Sequence, residues 1–462
     1  MKNKKNNKMK KLSLVALCLA AGILVTSCKK EANNGASFDN RSTAATDYPS
    51  SVTSLPVTTV SGDITTNTTW DAAHVWEISG VVTVRSGATL TINAGTFIKS
   101  TVNTAGVQNG VLVIAKGGKI NAVGTATSPI VFTSRYLLDG NNATVGKPGD
   151  FGGVILLGNA VINVGDKLIE GLADDPKFHY GGTNDADNSG TLQFVRIEFA
   201  GYVLAPNVEV NSLTLGGVGS GTTIDHVQAS YGLDDGFEFF GGKVSPKYLI
   251  SFANDDDQFD FDNGFTGSIQ FAIGVVDAYS THSGTGTPVV SDSNGIESDN
   301  NAPAEDATFS KLPKTHPTLS NFSIVGTSAA TLSPAITAPG LKWAFRNRRG
   351  AEATVNNSLF TGYPTGIVAD VDANASLVTL SNVSAHGFTA ATSVLGTGAF
   401  VITPAGSLTT STAAAAATFG MSQPFYNSGA VNFATGLGVT RGAVTSASSA
   451  AWNIAAWTKF TF

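Results

Sequence analysis

Six carboxylates recur at one spacing in the middle of the chain. Asp234-Asp235-Gly236-Phe237-Glu238-Phe239 is followed 22 residues on by Asp256-Asp257-Gln258-Phe259-Asp260-Phe261, and at the same offset Gly242 falls on Gly264. That period matches one turn of a coil of parallel strands. Asp234 then stacks on Asp256, Asp235 on Asp257 and Glu238 on Asp260, with rungs about 4.8 Å apart. Like charges at that spacing repel by about 1 kcal/mol in water and by several at an effective dielectric near 20. A bound cation would relieve the repulsion. Oxygen-rich clusters suit Ca²⁺, which takes roughly six to eight oxygen ligands. The candidate metal ligands are therefore Asp234, Asp235, Glu238, Asp256, Asp257 and Asp260. A weaker third copy, Asn294-Gly295-Ile296-Glu297-Ser298-Asp299, follows an insertion near 277–291. Glu297 and Asp299 from that copy could join, as could Asp262. The competing reading is a solvated acidic face whose Asp side chains cap turns.

Cations near the acids raise a second chemistry. A lyase acting on a uronate needs Ca²⁺ or Arg to neutralise the carboxylate and a Lys or Arg to take a proton. Lys243 and Lys247 follow the first copy of the repeat, and Arg346, Arg348 and Arg349 form the densest basic cluster, beside Glu352. Lys243, Arg346, Arg348 and Arg349 are the catalytic candidates on this reading. A glycosidase would need two carboxylates about 5–10 Å apart, which an acidic ladder supplies by accident. The bland alternative is that the arginines pair structurally with the acids.

Other constellations are weaker. Asp185-Ala186-Asp187-Asn188-Ser189-Gly190 has the first half of a calcium loop, but Arg196 stands at the twelfth position, so an Asx-rich turn is expected. The six histidines (His74, His179, His226, His282, His316 and His386) have no metal-ligand spacing. Tyr231, Tyr248, Tyr279, Trp343 and Tyr363 are the aromatics that could stack on sugar rings. No zinc-protease, nucleophile-elbow, Walker or dinucleotide motif occurs.

The elements that must position these residues are short strands. Val75–Ile78, Val81–Val84, Thr89–Ile92, Thr96–Ile98, Val111–Ile114 and Ile130–Thr133 are separated by Gly, Ser and Asn. No segment has a long 3.6-residue period, so helices should be rare. Composition agrees. Of 462 residues, 42% are hydrophobic, 13% are charged and 51 are glycine, which disfavours disorder and long helices alike. Two stretches carry a further resemblance: Gly110-Val111-Leu112-Val113-Ile114-Ala115-Lys116-Gly117-Gly118, and Gly152-Gly153-Val154-Ile155-Leu156-Leu157-Gly158. Together with Asp234–Gly242 they resemble a family of secreted bacterial right-handed parallel β-helix proteins over roughly residues 58–390. The resemblance implies an all-β, single-stranded right-handed parallel β-helix, a fold shared with pectate lyases. Fold alone does not settle chemistry.

The termini suggest location. Lys2, Lys4, Lys5, Lys8, Lys10 and Lys11 precede an apolar run from Leu12 to Val25, and Leu24-Val25-Thr26-Ser27-Cys28 resembles a bacterial lipobox. Cys28 would carry the lipid, and Lys29 after it resembles the pattern sorted to the outer membrane. Loss of residues 1–27 removes six lysines and no acids, taking the formal charge from −6 to −12. That balance argues against a nucleic-acid partner. The organisation expected is a signal over 1–27, a flexible tether over 28–57, the coil over 58–394 and a C-terminal cap over 395–462. The functions expected are calcium-assisted glycan binding or adhesion at the cell surface, with a polysaccharide lyase and an envelope scaffold as alternatives. The membrane, through the lipid, and a cell-surface glycan or polysaccharide are the expected partners.

Overall fold

Strands this short cannot bury both faces by themselves, so they gain stability only by stacking on like strands above and below. The computed structural model shows that arrangement, a right-handed parallel β-helix of one continuous chain. It describes residues 47–102, 110–201, 203–205, 208–276, 293–326, 341–370, 376–412, 441–444 and 449–460. Three parallel faces run the length of the coil. Face A holds Thr68–Trp70, Thr89–Ile92 and Lys119–Val123, and continues through Glu352–Asn356 and Leu377–Ser381. Face B passes through Phe97–Ser100, Ile130–Phe132 and Lys247–Phe252. Face C stacks Val111–Ile114, Gly153–Leu157, Leu213–Val218, Phe237–Gly242, Phe259–Asp262, Ile296–Ser298 and Trp343–Asn347.

Side chains alternate in and out along each strand. Phe237 and Phe259 therefore point into the coil and stack at 5.4 Å with rings 8° apart, and Phe239 stacks on Phe261 at 5.1 Å. All four are 0% exposed. Gly242 and Gly264 close the same turn in successive rungs at φ +82° and +85°, and a Cβ on Gly242 would meet the Val218 carbonyl at 2.5 Å.

The corner between faces A and B is one residue wide and left-handed. Phe194, His226, Tyr248, Phe271, Asn321, Asn357 and Asn382 all have positive φ there. Such a backbone is uncommon for aromatic residues, and Asn accepts it more readily. Stacking of the aromatic members offsets the cost. Phe194, His226, Tyr248 and Phe271 lie 4.5, 4.5 and 5.0 Å apart, ring to ring.

Parallel pairing begins at Val57 and continues past residue 394. Ala399–Ile402 and Leu408–Ser411 still pair in parallel, and Phe400 and Leu408 pack on the core, so the coil runs past residue 394. Ala399–Ile402 is itself an apolar run, but the Ala-, Thr- and Ser-rich sequence around it directed the reading to a cap. The chain is also anchored before residue 58. Buried Tyr48 donates to Glu198 at 2.8 Å, Arg196 donates to Glu198 and to Tyr48, and Val57–Ile64 is already a strand.

The described part of the tail packs along the flank of the coil. Arg441 bonds Asn382 and Thr409, the Ala443 N–H donates to Ser323, Trp452 meets Tyr248 edge-on, and Trp457 meets His226. It therefore runs back down the flank and covers the corner aromatics and the outward side chains Ile250, Phe252, Ile273 and Val275. The signal, Cys28, Tyr279, His282 and the insertion near 277–291 lie outside the described residues.

The ring stack yields a stability prediction. Phe259→Ala leaves a void between Phe237 and Phe322 and should cost about 3–5 kcal/mol in denaturant unfolding. A loss below about 1 kcal/mol would mean that this stack does not carry the core.

Candidate functional site

The outward side chains of face C form two columns. Strand register places Thr214, Glu238, Asp260, Glu297 and Arg346 in one. The alternation puts Phe240, Asp262, Asp299, Arg348 and Asp370 in the other. The expected pairing of Glu238 with Asp260 is thus present, and Glu297 of the weaker third copy extends it.

The turn entering face C adds a third column. Its carboxylates hydrogen-bond the backbone one rung on. Asn211 Oδ1 accepts from the Asp235 N–H at 3.3 Å, Asp235 Oδ1 from the Asp257 N–H at 2.9 Å, and Asp257 Oδ1 from the Asn294 N–H at 2.6 Å. Asn211 Nδ2 donates to Glu238, and Asn294 Nδ2 to Glu297 at 3.2 Å. Turn capping, the bland reading, accounts for one oxygen of Asp235 and one of Asp257.

Three groups of carboxylates approach within 4.8 Å: Asp234, Asp235 and Asp256; Asp235, Glu238 and Asp260; Asp257, Asp260 and Glu297. All six sequence-derived ligands are in these groups, joined by Glu297. Asp260 Oδ1 is buried and lacks a hydrogen-bond partner. The acids are not a solvated face, because Asp234, Asp235, Glu238 and Asp257 are all buried.

Part of that burial comes from excursions far away in sequence. Residues 158–189 fold against face C, with Tyr180 on Phe240 at 5.9 Å and its hydroxyl donating to Asn263 at 3.1 Å. Lys167 reaches Glu305 at 2.6 Å and Asn263 at 2.9 Å. Lys167, Glu170, Tyr180 and Glu305 were not foreseen, since nothing in their local sequence marks them as neighbours of the repeat.

The arginine candidates sit one rung beyond Glu297 and are fully engaged with acids. Arg348, 7% exposed, bonds Asp299 at 2.6 and 3.0 Å and also Glu297. Arg349 reaches Asp299 at 2.6 Å, and Arg346 reaches Asp370 at 3.0 Å and Glu297 at 3.6 Å. All three guanidinium groups are thus committed to carboxylate partners. Lys243 sits elsewhere, at the turn after the strand, 3.5 Å from Asp185.

Of the aromatic candidates, Tyr363 is 0% exposed. Tyr248 is stacked between His226 and Phe271, Tyr231 lies on Phe199, and Trp343 carries Arg346 over its ring at 4.3 Å. The Asp185 segment is a turn, with Asp185 Oδ1 accepting from the Val161 N–H at 3.1 Å and Asn188 Oδ1 from the Gly190 N–H at 2.8 Å.

Charge and burial push most of the acids upward. Burial first, then Glu170, Asp235 and Asp260, raises the Glu238 carboxyl well above its usual range. Burial together with Asp256, Glu297 and Asp235 does the same to Asp257, and burial with Glu297 and Asp299 to Asp260. Burial lifts Glu297 to about 7 against the pull of Arg348, and Asp262 to about 7 against Lys167. Asp299 goes the other way: burial opposes its charge, but Arg348 and Arg349 outweigh burial and hold it below the ordinary value.

These directions fix a pH dependence. A raised carboxyl adds stability that is complete below its unfolded pKa, about 4, and is lost as pH rises through its folded value. For Glu297 and Asp262 the window is therefore about pH 4 to 7. Asp299 opposes this, adding stability above its ordinary pKa that is lost on acidification. In chelator, Asp260→Asn should gain in melting temperature relative to the unmodified protein as pH rises from about 5 to 8. A difference that stays constant across that range would show that the column does not repel.

No curated protein and no solved structure matches the chain. The model of one family, described as pectate-lyase like beta helix domain, matches residues 62–453. With most of the described strands of that span stacked in one parallel coil, the chain belongs to the pectate-lyase-like beta-helix domain family.

Proposed function

We propose that the protein is a lipid-anchored module of the outer membrane or cell surface that binds acidic glycan through Ca²⁺ held on face C, without cleaving it. The family fits a carbohydrate-related role. The observation that carries the reading is the buried, partnerless Asp260 Oδ1 at the junction of two of the three carboxylate groups. An anionic oxygen left bare in low dielectric costs several kcal/mol, roughly, unless a proton or a cation meets it. The donors are all hard oxygens and adaptable in number, which suits Ca²⁺ better than Mg²⁺ with its strict octahedral demand. Asp234, Asp235, Glu238, Asp256, Asp257 and Asp260 would hold the ion, with Glu297 at the edge. A calcium ion supplies positive charge where a uronate carboxylate could complete its shell. Binding is favoured over lysis because Arg346, Arg348 and Arg349 are tied to Asp299, Glu297 and Asp370.

A cation that binds only the folded chain raises stability by mass action. Added Ca²⁺ should raise the melting temperature, chelator should lower it, and Mg²⁺ should substitute poorly. Asp257→Asn keeps an oxygen for the Asn294 N–H yet should blunt the calcium response, and so should Asp260→Asn. Equal melting in calcium and in chelator would remove the ion from this reading. Incubation with a panel of acidic polysaccharides then separates binding from lysis: new absorbance from unsaturated products would replace the binding module with a lyase.

Anchoring follows from the lipobox at Cys28. Among the described residues no helix is long and apolar enough to cross a membrane. Cys28→Ser should leave the protein unprocessed or release it from the membrane fraction. Unchanged lipid labelling of that variant would end the lipoprotein reading.

A further inference from the structure

We propose a second carbohydrate site, for a neutral sugar unit, in the cleft at the turn between faces C and A. The proposal extends the glycan-binding reading to a separate place and does not need calcium. The cleft is open and holds about 580 Å³, within the range of small-ligand sites. Its polar walls are Asp185, Lys243, Thr266 and Thr318, and its apolar walls are Val161 and Pro313 with the ring of His316.

Each wall is set by hydrogen-bonded backbone. Lys243 N–H donates to Val218 O at 2.8 Å, Thr266 N–H to Gly242 O at 3.0 Å, His316 N–H to Phe265 O at 2.8 Å and Thr318 N–H to Gly267 O at 3.1 Å. Asp185 is fixed through its Oδ1 to Val161 and through its carbonyl to the Ser220 N–H at 2.8 Å. Its other oxygen, Oδ2, faces Lys243 at 3.5 Å.

The charge balance selects the ligand. Lys243 and Asp185 are about half exposed, and a pair so exposed contributes roughly 0–1 kcal/mol. It can part to offer a donor and an acceptor to one hydroxyl pair. An anion would have to displace the Asp185 carboxylate, so a uronate or phosphate is disfavoured. Both ring nitrogens of His316 are engaged, by Thr354 at 2.9 Å and Glu352 at 3.1 Å, so carbon is what the ring presents. Carbon surfaces of His316, Pro313 and Val161 beside Thr, Lys and Asp groups match a pyranose, whose C–H faces are apolar and whose rim is hydroxylated.

Calorimetric titration of the full chain tests this, with neutral hexasaccharides (glucan, mannan, galactan and xylan) in chelator and with hexagalacturonate both in chelator and in calcium. At least one neutral probe should bind. Lys243→Met should weaken it at least about fivefold, since a charged hydrogen bond is lost. Thr318→Val should also weaken it and serves if the first variant misfolds. Lys119→Met, an exposed lysine on face A, should leave binding unchanged. No binding of any neutral probe, or equal binding by Lys243→Met and Lys119→Met, would overturn the proposal. If hexagalacturonate binds with calcium while every neutral probe fails, the cleft falls and the acidic-face reading stands. If neutral probes bind and calcium-dependent galacturonate binding is absent, the reverse holds.

Discussion

In a parallel coil every side chain sits about 4.8 Å from its counterpart in the rungs above and below. That spacing rewards identical apolar neighbours and penalises identical charges. The same 22-residue repeat that stacks Phe237 on Phe259 at 5.4 Å and Phe239 on Phe261 at 5.1 Å also aligns Glu238 with Asp260. The core and the candidate site are therefore two faces of one strand pairing. Neither can shift register without the other, because a one-residue slip would turn the rings outward and the acids inward.

The molecule answers the stacked charge in three ways. Backbone N–H groups of the next rung bind Asp235 and Asp257. Guanidinium groups of Arg348 and Arg349 close the column around Asp299, the one acid there whose carboxyl is pulled down. The middle of the neighbouring column, at Glu238 and Asp260, has neither answer in full, and its carboxyls are pushed up, with Asp260 Oδ1 left bare. The place where repulsion is least relieved is also where oxygen donors converge. The cation we propose would sit there, on grounds of charge and donor chemistry together.

The flank of the coil obeys the same stacking rule. Left-handed corners carry aromatics in the middle rungs and asparagine in the later ones. The described tail seals the aromatic part, with Trp452 and Trp457 both 0% exposed. Its last described residues reach the first described ones, where Lys459 lies 4.1 Å over the Tyr48 ring and the Trp457 carbonyl accepts from Arg196. Tyr48, Trp457 and Lys459 thus meet at one buried cluster around Glu198.

The sequence alone carried the repeat. The 22-residue period, the inward Phe pairs, the Glu238–Asp260 pairing and the six convergent acids were legible because neighbouring rungs here are neighbours in sequence. Glu297 was legible as a weaker copy, displaced by an insertion. What lay hidden was long-range. Residues 158–189 fold back over face C, so the acids are buried where a solvated face was one expectation. Lys167 meets Glu305 across 138 positions of chain. The apolar run Ala399–Ile402 lay inside a segment read as a cap, and the packing of the described tail along the flank joins residues far apart in sequence. Local spacing sets which residues stack, since the rung repeats it. Which side chains are buried, paired or left bare depends on segments brought together only by the folded coil, and tertiary structure alone decides that.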